Sequence, residues 1–140
     1  MRVSRLLLLA VASTLLACSP RAAEELPGAD SGPTVEEGLR TINGTELFIK
    51  RMGSGEPIVV VHGGPVLEHG YLLPHLEPLA QEYELIFYDQ RLSGRSAGQV
   101  DPETVSLASF VEDIEALRQE LGLASIHLLA HSWGGLLAQS

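Results

Sequence analysis

Cysteine is nearly absent. The 140 residues contain one, Cys18, so no disulfide can form within the chain and an oxidising compartment offers it no covalent staple. Positive charge is also scarce. Nine Lys plus Arg stand against eighteen Asp plus Glu, a formal charge of -9. Arg2 and Arg5 supply two of those positive charges, and without the first seventeen residues the balance falls to -11. That argues against sequence-independent nucleic-acid binding, which needs a basic surface. No apolar run is long enough to span a bilayer. Leu6 to Ala17 has twelve residues, interrupted by Ser13 and Thr14, whereas a spanning helix takes about 17–25. No internal repeat occurs. His69, His75 and His127 show no metal-ligand spacing and are expected at the surface or in packing. Neither a metal nor an organic cofactor is expected. Composition is otherwise that of an ordinary globular domain, with 45% hydrophobic and 19% charged residues.

What is present divides into three parts. Residues 1–17 have a basic start and an apolar stretch, the pattern of a secretory signal peptide. Cys18 follows Leu15-Leu16-Ala17 directly. This arrangement resembles a bacterial lipobox, which implies cleavage before Cys18, lipidation of its thiol, and export to the bacterial cell envelope. Residues 18–38 are rich in Pro, Gly, Ala and acid without an apolar period. They read as a flexible tether between lipid and domain.

Residues 39–140 carry the domain. Asn43-Gly44 lies between two apolar runs, a hairpin signal. Pro57–Val61, Glu84–Tyr88 and Ile126–Ala130 are short continuous apolar runs, expected as buried strands of a parallel sheet. Tyr71–Tyr83 is expected to be helical, with Pro74 in a first turn and Pro78 kinking or delaying the helix. The clearest helix is Leu107–Leu121. Leu107, Phe110, Val111, Ile114, Leu117 and Leu121 share one face, and Glu112, Asp113, Glu115, Arg118 and Glu120 populate the rest. Ser106 or Ser109 suits its start and Gly122 its stop. Strands alternating with helices predict an α/β fold, a mostly parallel sheet with helices on both faces.

Two turns concentrate the chemistry. Ser132 lies between a strand and a helix within Ala-His-Ser-Trp-Gly, one residue from the G-x-S-x-G elbow, with Ala130 in place of the first glycine. The elbow lifts a serine hydroxyl above the C-terminal edge of a sheet. It also places the hydroxyl at a helix start, where free N–H groups favour developing negative charge. His62-Gly63-Gly64-Pro65 follows the first buried strand. In an elbow enzyme the residue after the nucleophile, here Trp133, supplies one oxyanion N–H, and this loop supplies the other. Gly64 is the expected donor.

Together HGGP (62–65), YDQRLSGRS (88–96) and AHSWGG (130–135) resemble the proline iminopeptidase branch of the α/β-hydrolase fold, over residues 39–140. The resemblance implies Ser132 as nucleophile, with Gly64 and Trp133 as oxyanion donors. His62, Gly63 and Pro65 would support the first loop, and Asp89, Gln90, Arg91 and Arg95 would brace the site. Trp133 would also wall the pocket. His62 and His131 are excluded as bases, because in this fold the acid and the histidine follow the nucleophile in the chain. Eight residues follow Ser132, and none is Asp, Glu or His. The 140 residues are therefore expected to be the N-terminal half of a larger domain, inactive on its own. Val66 and Leu92 replace family glycines. A Val at positive φ would store about 1–3 kcal/mol of strain.

The resemblance implies a lipid-anchored serine hydrolase releasing an N-terminal residue, proline, from peptides through an acyl-enzyme. Its partners would be a peptide or small acyl substrate and, through the lipid, a membrane. An esterase-like hydrolase of the same fold, or a lipid-anchored binding protein that keeps the fold without catalysis, are the alternatives.

Overall fold

The computed structural model describes residues 34–96, 103 and 105–140. The leader, Cys18 and most of the tether lie outside the described residues. The domain begins with a hairpin. Strand β1 (Val35–Ile42) pairs antiparallel with β2 (Thr45–Gly53), Ile42 opposite Thr45. Only Asn43 and Gly44 connect them, both at positive φ, 48° and 74°. Such a two-residue turn demands that conformation, and Asn-Gly adopts it cheaply. Strand β1 takes in residues 35–38, which the sequence assigns to the tether, because they pair with residues 49–52 of β2.

Strand β2 pairs antiparallel with β4 (Tyr83–Tyr88), which lies parallel to β3 (Glu56–Val61). β3 in turn lies parallel to β5 (His127–Ala130). The order is β1-β2-β4-β3-β5, so the sheet is mixed, parallel over the half that carries the candidate site. β3 sends its successors to opposite sides, and open α/β sheets bind ligands at the C-terminal edge of such a reversal. β3 and β4 are buried as expected. β5 runs at the edge of the described sheet, where His127 and Leu128 are exposed and Leu129 and Ala130 half-buried. The cause is position, because β5 is the last strand of the described sheet and pairs on one side only.

Side chains of β3 alternate between two apolar layers. Val59 and Val61 face helix α2 (Leu107–Glu120), with Phe110, Ile114 and Leu117 packed against Ile42, Leu47, Ile49 and Ile86. Val60 joins Met52, Leu85, Phe87 and Ala80 on the other side, under Leu72, Leu73 and Leu76. Helical segments thus cover both faces. The helix expected over Tyr71–Tyr83 is three short pieces: 3-10 turns at His69–Tyr71 and Glu77–Gln81 flank helix α1 (Leu73–Leu76). Pro74 and Pro78 each occupy a first-turn position, where the missing N–H costs nothing. Two prolines four residues apart thus restart the helix instead of kinking it.

Helix α2 keeps its predicted signals. Ser106 and Ser109 form a reciprocal capping box at 3.1 and 2.9 Å, and Gly122 ends the helix at φ 67°. Two of its residues differ from expectation. Leu107 is 43% exposed, and Asp113, assigned to the polar face, is 1% exposed. Asp113 lies three residues after Phe110 and four before Leu117, so helical spacing puts it inside. Among the described residues no helix is long and apolar enough to cross a membrane.

Candidate active site

Strand ends β3, β4 and β5 bring three loops together. The chain leaves β5 through His131, whose N–H donates to the Val61 carbonyl at 3.0 Å. Ser132 follows at φ 54°, ψ -116°, and helix α3 (Trp133–Leu137) starts at once. A non-glycine residue there carries about 1–3 kcal/mol of strain. The turn forces it, because the backbone must reverse from strand to helix within one residue. Ser132 is exposed. Gly134 is required by close approach: a Cβ there would press on the Val61 and His62 carbonyl oxygens.

The loop after β3 meets this elbow edge on. A Cβ added at Gly63 would lie 3.1 Å from the Ser132 Cβ, 2.9 Å from His131 Nδ1 and 3.0 Å from the Tyr71 hydroxyl. The Gly63 N–H donates to Tyr71 at 2.8 Å. Gly64 adopts φ 62°. Among the described residues the Gly64 and Trp133 N–H groups donate to no protein acceptor. Trp133 N–H is free because it opens a helix. Two free donors thus flank an exposed, strained serine.

The loop after β4 is the brace. His62 is fully buried. Its Nε2 accepts the Gln90 N–H at 3.0 Å, which leaves Nδ1 as the protonated nitrogen, 3.0 Å from the Gly63 carbonyl. Burial holds the ring below the ordinary histidine range, against the opposing pull of the Gly63 carbonyl and the Asp89 charge. Gln90 donates to the His62 carbonyl at 2.7 Å and accepts from the Trp133 indole at 3.0 Å. One side chain so joins the strand end to the elbow helix. Ser93 donates to the Pro65 carbonyl at 3.0 Å. Arg91 forms a two-pronged pair with Asp113, at 2.7 and 2.5 Å, and Asn43 adds a third bond to that carboxylate at 2.9 Å. Arg95 departs from its expected place. Its backbone N–H caps Asp89 at 2.9 Å, but its guanidinium lies over the Phe48 ring and reaches Glu37.

Asp89 takes three donors: His69 N–H at 3.0 Å, His69 Nδ1 at 2.7 Å, and Arg95 N–H. Burial pushes its carboxyl up, and these hydrogen bonds pull it further down, to a net value below the usual range. Glu68, His69 and Asp89 come close enough to suggest a metal cradle. The donor set does not fit one. The Asp89 oxygens are engaged by N–H groups, and 2.7 Å between Nδ1 and Oδ1 is a hydrogen bond.

His69, expected at the surface or in packing, is therefore buried and paired. His75 and His127 are exposed, His127 bonded to Glu56. Val66 is 80% exposed and is not among the positive-φ residues, so the feared strain does not arise there. Leu92 does adopt φ 65°. Sequence reasoning passed over Tyr71, His69, Ser93 and Asp113. For Asp113 the signal was its spacing within the apolar face. The others acquire their roles through contacts between distant segments.

These features place the chain in a class. Residues 56–140 match the alpha/beta hydrolase fold family, and the chain belongs to it. More particularly, it is similar to proline iminopeptidases. It is 37% identical over 105 residues to one from Heyndrickxia coagulans, covering 73% of this chain and 36% of that one. The likeness to the Saccharolobus solfataricus protein is also 37%, over 74% of this chain and 35% of that one. A proline iminopeptidase-related protein from Thermus thermophilus superposes with a TM-score of 0.71 at 31% identity, over 76% of this chain and 39% of that one. An epoxide hydrolase from Vigna radiata superposes at 0.66 and 26%, over 74% and 34%. The chain spans about a third of the length of the curated relatives it matches.

Proposed function

We propose that these residues are the nucleophile-bearing part of a serine hydrolase of the proline iminopeptidase type. The observation that carries the reading is Ser132: exposed, at φ 54°, ψ -116°, between β5 and α3. Ser132 Oγ attacks the carbonyl carbon of the substrate's N-terminal residue. The carbonyl oxygen, now negative, accepts from the Gly64 and Trp133 N–H groups. Such donors are worth about 10²–10³ in rate each. The serine proton passes to a histidine base and on to the leaving amine, forming an acyl-enzyme that water then cleaves. The histidine base and its acid partner are not among residues 133–140, which contain no Asp, Glu or His. Residues 19–140 expressed alone are expected to be inactive.

A fluorophosphonate probe tests the reading. Full-length protein is expected to label stoichiometrically and Ser132→Ala not at all. Absence of label on folded wild-type protein would favour the non-catalytic alternative. A prolyl arylamide is expected to exceed short acyl esters in kcat/KM by at least about tenfold, one methylene-scale pocket difference or more. The reverse order would make the protein an esterase. Lipidation of Cys18 would hold the enzyme at the cell envelope. Cys18→Ser is expected to move it from the detergent to the aqueous phase, and unchanged partitioning would refute the anchor.

A further inference from the structure

The Tyr71 hydroxyl stands where three loops meet, and no step above uses it. It accepts the Gly63 N–H at 2.8 Å and lies 2.8 Å from His131 Nδ1, beside the Ser132 Cβ across Gly63. The rings of Tyr71 and His131 meet edge to face at 5.7 Å. The backbone N–H can only donate, so the phenol oxygen is the acceptor in the first bond. Its own proton then remains for the second, and His131 Nδ1 accepts it. That assignment satisfies the Gly63 N–H, the Tyr71 hydroxyl and His131 Nδ1 together. The opposite tautomer would aim two donors at one phenol oxygen and leave the hydroxyl proton without a partner among the described residues.

We propose that Tyr71 is a positioning residue for the serine chemistry, a role that rests on Ser132 being the nucleophile. It ties the loop after β3 to the residue preceding the nucleophile and holds His131 as the Nε2–H tautomer. It also occupies the Gly63 N–H, so that of the two adjacent glycine donors only Gly64 remains for the oxyanion. Tyr71 is itself held from a third direction. His69, two residues earlier, is fastened to Asp89 through both its backbone and its ring. The path runs from the end of β4 through Asp89 and His69 to Tyr71, and from there to both loops that flank Ser132.

Removing the hydroxyl leaves the buried Gly63 N–H without its acceptor, free to compete with Gly64 or to drag the loop. Such an orphaned group costs enough to change a rate by about 10–100-fold. The test uses full-length protein and three variants: Tyr71→Phe, His131→Leu and the double replacement. Tyr71→Phe is expected to slow fluorophosphonate labelling about 10–100-fold. With a prolyl arylamide it should lower kcat by a similar factor while KM stays within about threefold, because the oxyanion forms only after attack. His131→Leu should produce a comparable loss, and the double variant little more than either single one. Nitrogen-15 correlation spectra of the wild-type protein at a pH where histidine is neutral should show His131 protonated at Nε2. That measurement needs no variant, so it decides the matter even if Tyr71→Phe folds poorly. Wild-type protein that labels while Tyr71→Phe labels within twofold of it, or a His131 found protonated at Nδ1, overturns this inference alone. Wild-type protein that is folded and does not label overturns the serine-hydrolase reading, and this inference with it.

Discussion

Two turns at the same edge of one sheet solve opposite problems. The loop after β4, residues 89–96, buries Asp89, Gln90, Arg91, Ser93 and Ser96, and each finds a partner. Asp89 takes three donors, Arg91 meets Asp113 with two prongs, and Ser96 donates to the Asp89 carbonyl at 2.7 Å while accepting from Phe48 N–H. The elbow after β5 is exposed, holds a serine in a costly conformation, and leaves its first helical N–H unpaired. The satisfied turn is a scaffold. On the proposed reading, the unsatisfied one keeps donors and a hydroxyl in reserve for a substrate. Buried charge in one place and exposed strain in the other follow from one division of labour: reactive groups can stay unpaired only if their surroundings cannot collapse onto them.

The comparison breaks most visibly at Arg91. Arg91→Ala strands Asp113, buried inside α2, and is expected to destabilise full-length protein by about 3–5 kcal/mol. Urea denaturation measures this, and a loss under 1 kcal/mol would show that the loop is not the scaffold. Next come the two strained non-glycine turns. Ser132→Gly relieves a conformation costing about 1–3 kcal/mol and should raise stability while abolishing labelling. Leu92→Gly, at φ 65° on the scaffold side, should gain about 1 kcal/mol or less and leave labelling unchanged. If Ser132→Gly lowers stability, the elbow is not strained in the sense argued.

The smallest expected effect is the pH dependence. His62 titrates below its ordinary 6.5 when folded, because burial disfavours the charged ring. The unfolded chain therefore binds a proton near pH 6.5 that the folded chain refuses. The His62 contribution is complete above pH 6.5 and is lost as pH falls through the lowered folded value. Asp89, held below its ordinary 3.8 by hydrogen bonds that outweigh its burial, adds stability above that pH and loses it as pH falls further. Denaturation midpoints at pH 7.5, 6.5 and 5.5 should decline in that order. A flat profile would mean that the His62 ring is not held neutral by the β4 loop.

Much of this was legible beforehand, and the reasons are local. Asn43-Gly44 specifies its own hairpin, Ser106 and Gly122 mark the ends of α2, and the apolar runs at Pro57–Val61 and Glu84–Tyr88 can only be interior strands. Ser132 and Gly134 were legible because an elbow needs a small residue two places on, and the Val61 carbonyl lies where a side chain would be. Asp113 is the exception: its charge argues for the polar face, its spacing for the buried one, and the spacing wins because Arg91 and Asn43 pair the carboxylate inside.

The sequence by itself determined most of the elements, their order, an α/β fold and the serine at the strand-to-helix turn, since each rests on contacts within a few residues or on a repeating period; the resemblance of its three motifs added the hydrolase family. Only the tertiary structure decided that His69 is locked to Asp89, that Gln90 ties His62 to Trp133, and that Tyr71 bridges Gly63 and His131. Apart from Tyr71 and Gly63, eight residues apart, those pairs are separated by 20 to 60 residues in the chain. They meet because the reversal of strand order at β3 sends β4 and β5 to either side of it and gathers their C-terminal ends at one edge, a geometry that no local pattern records.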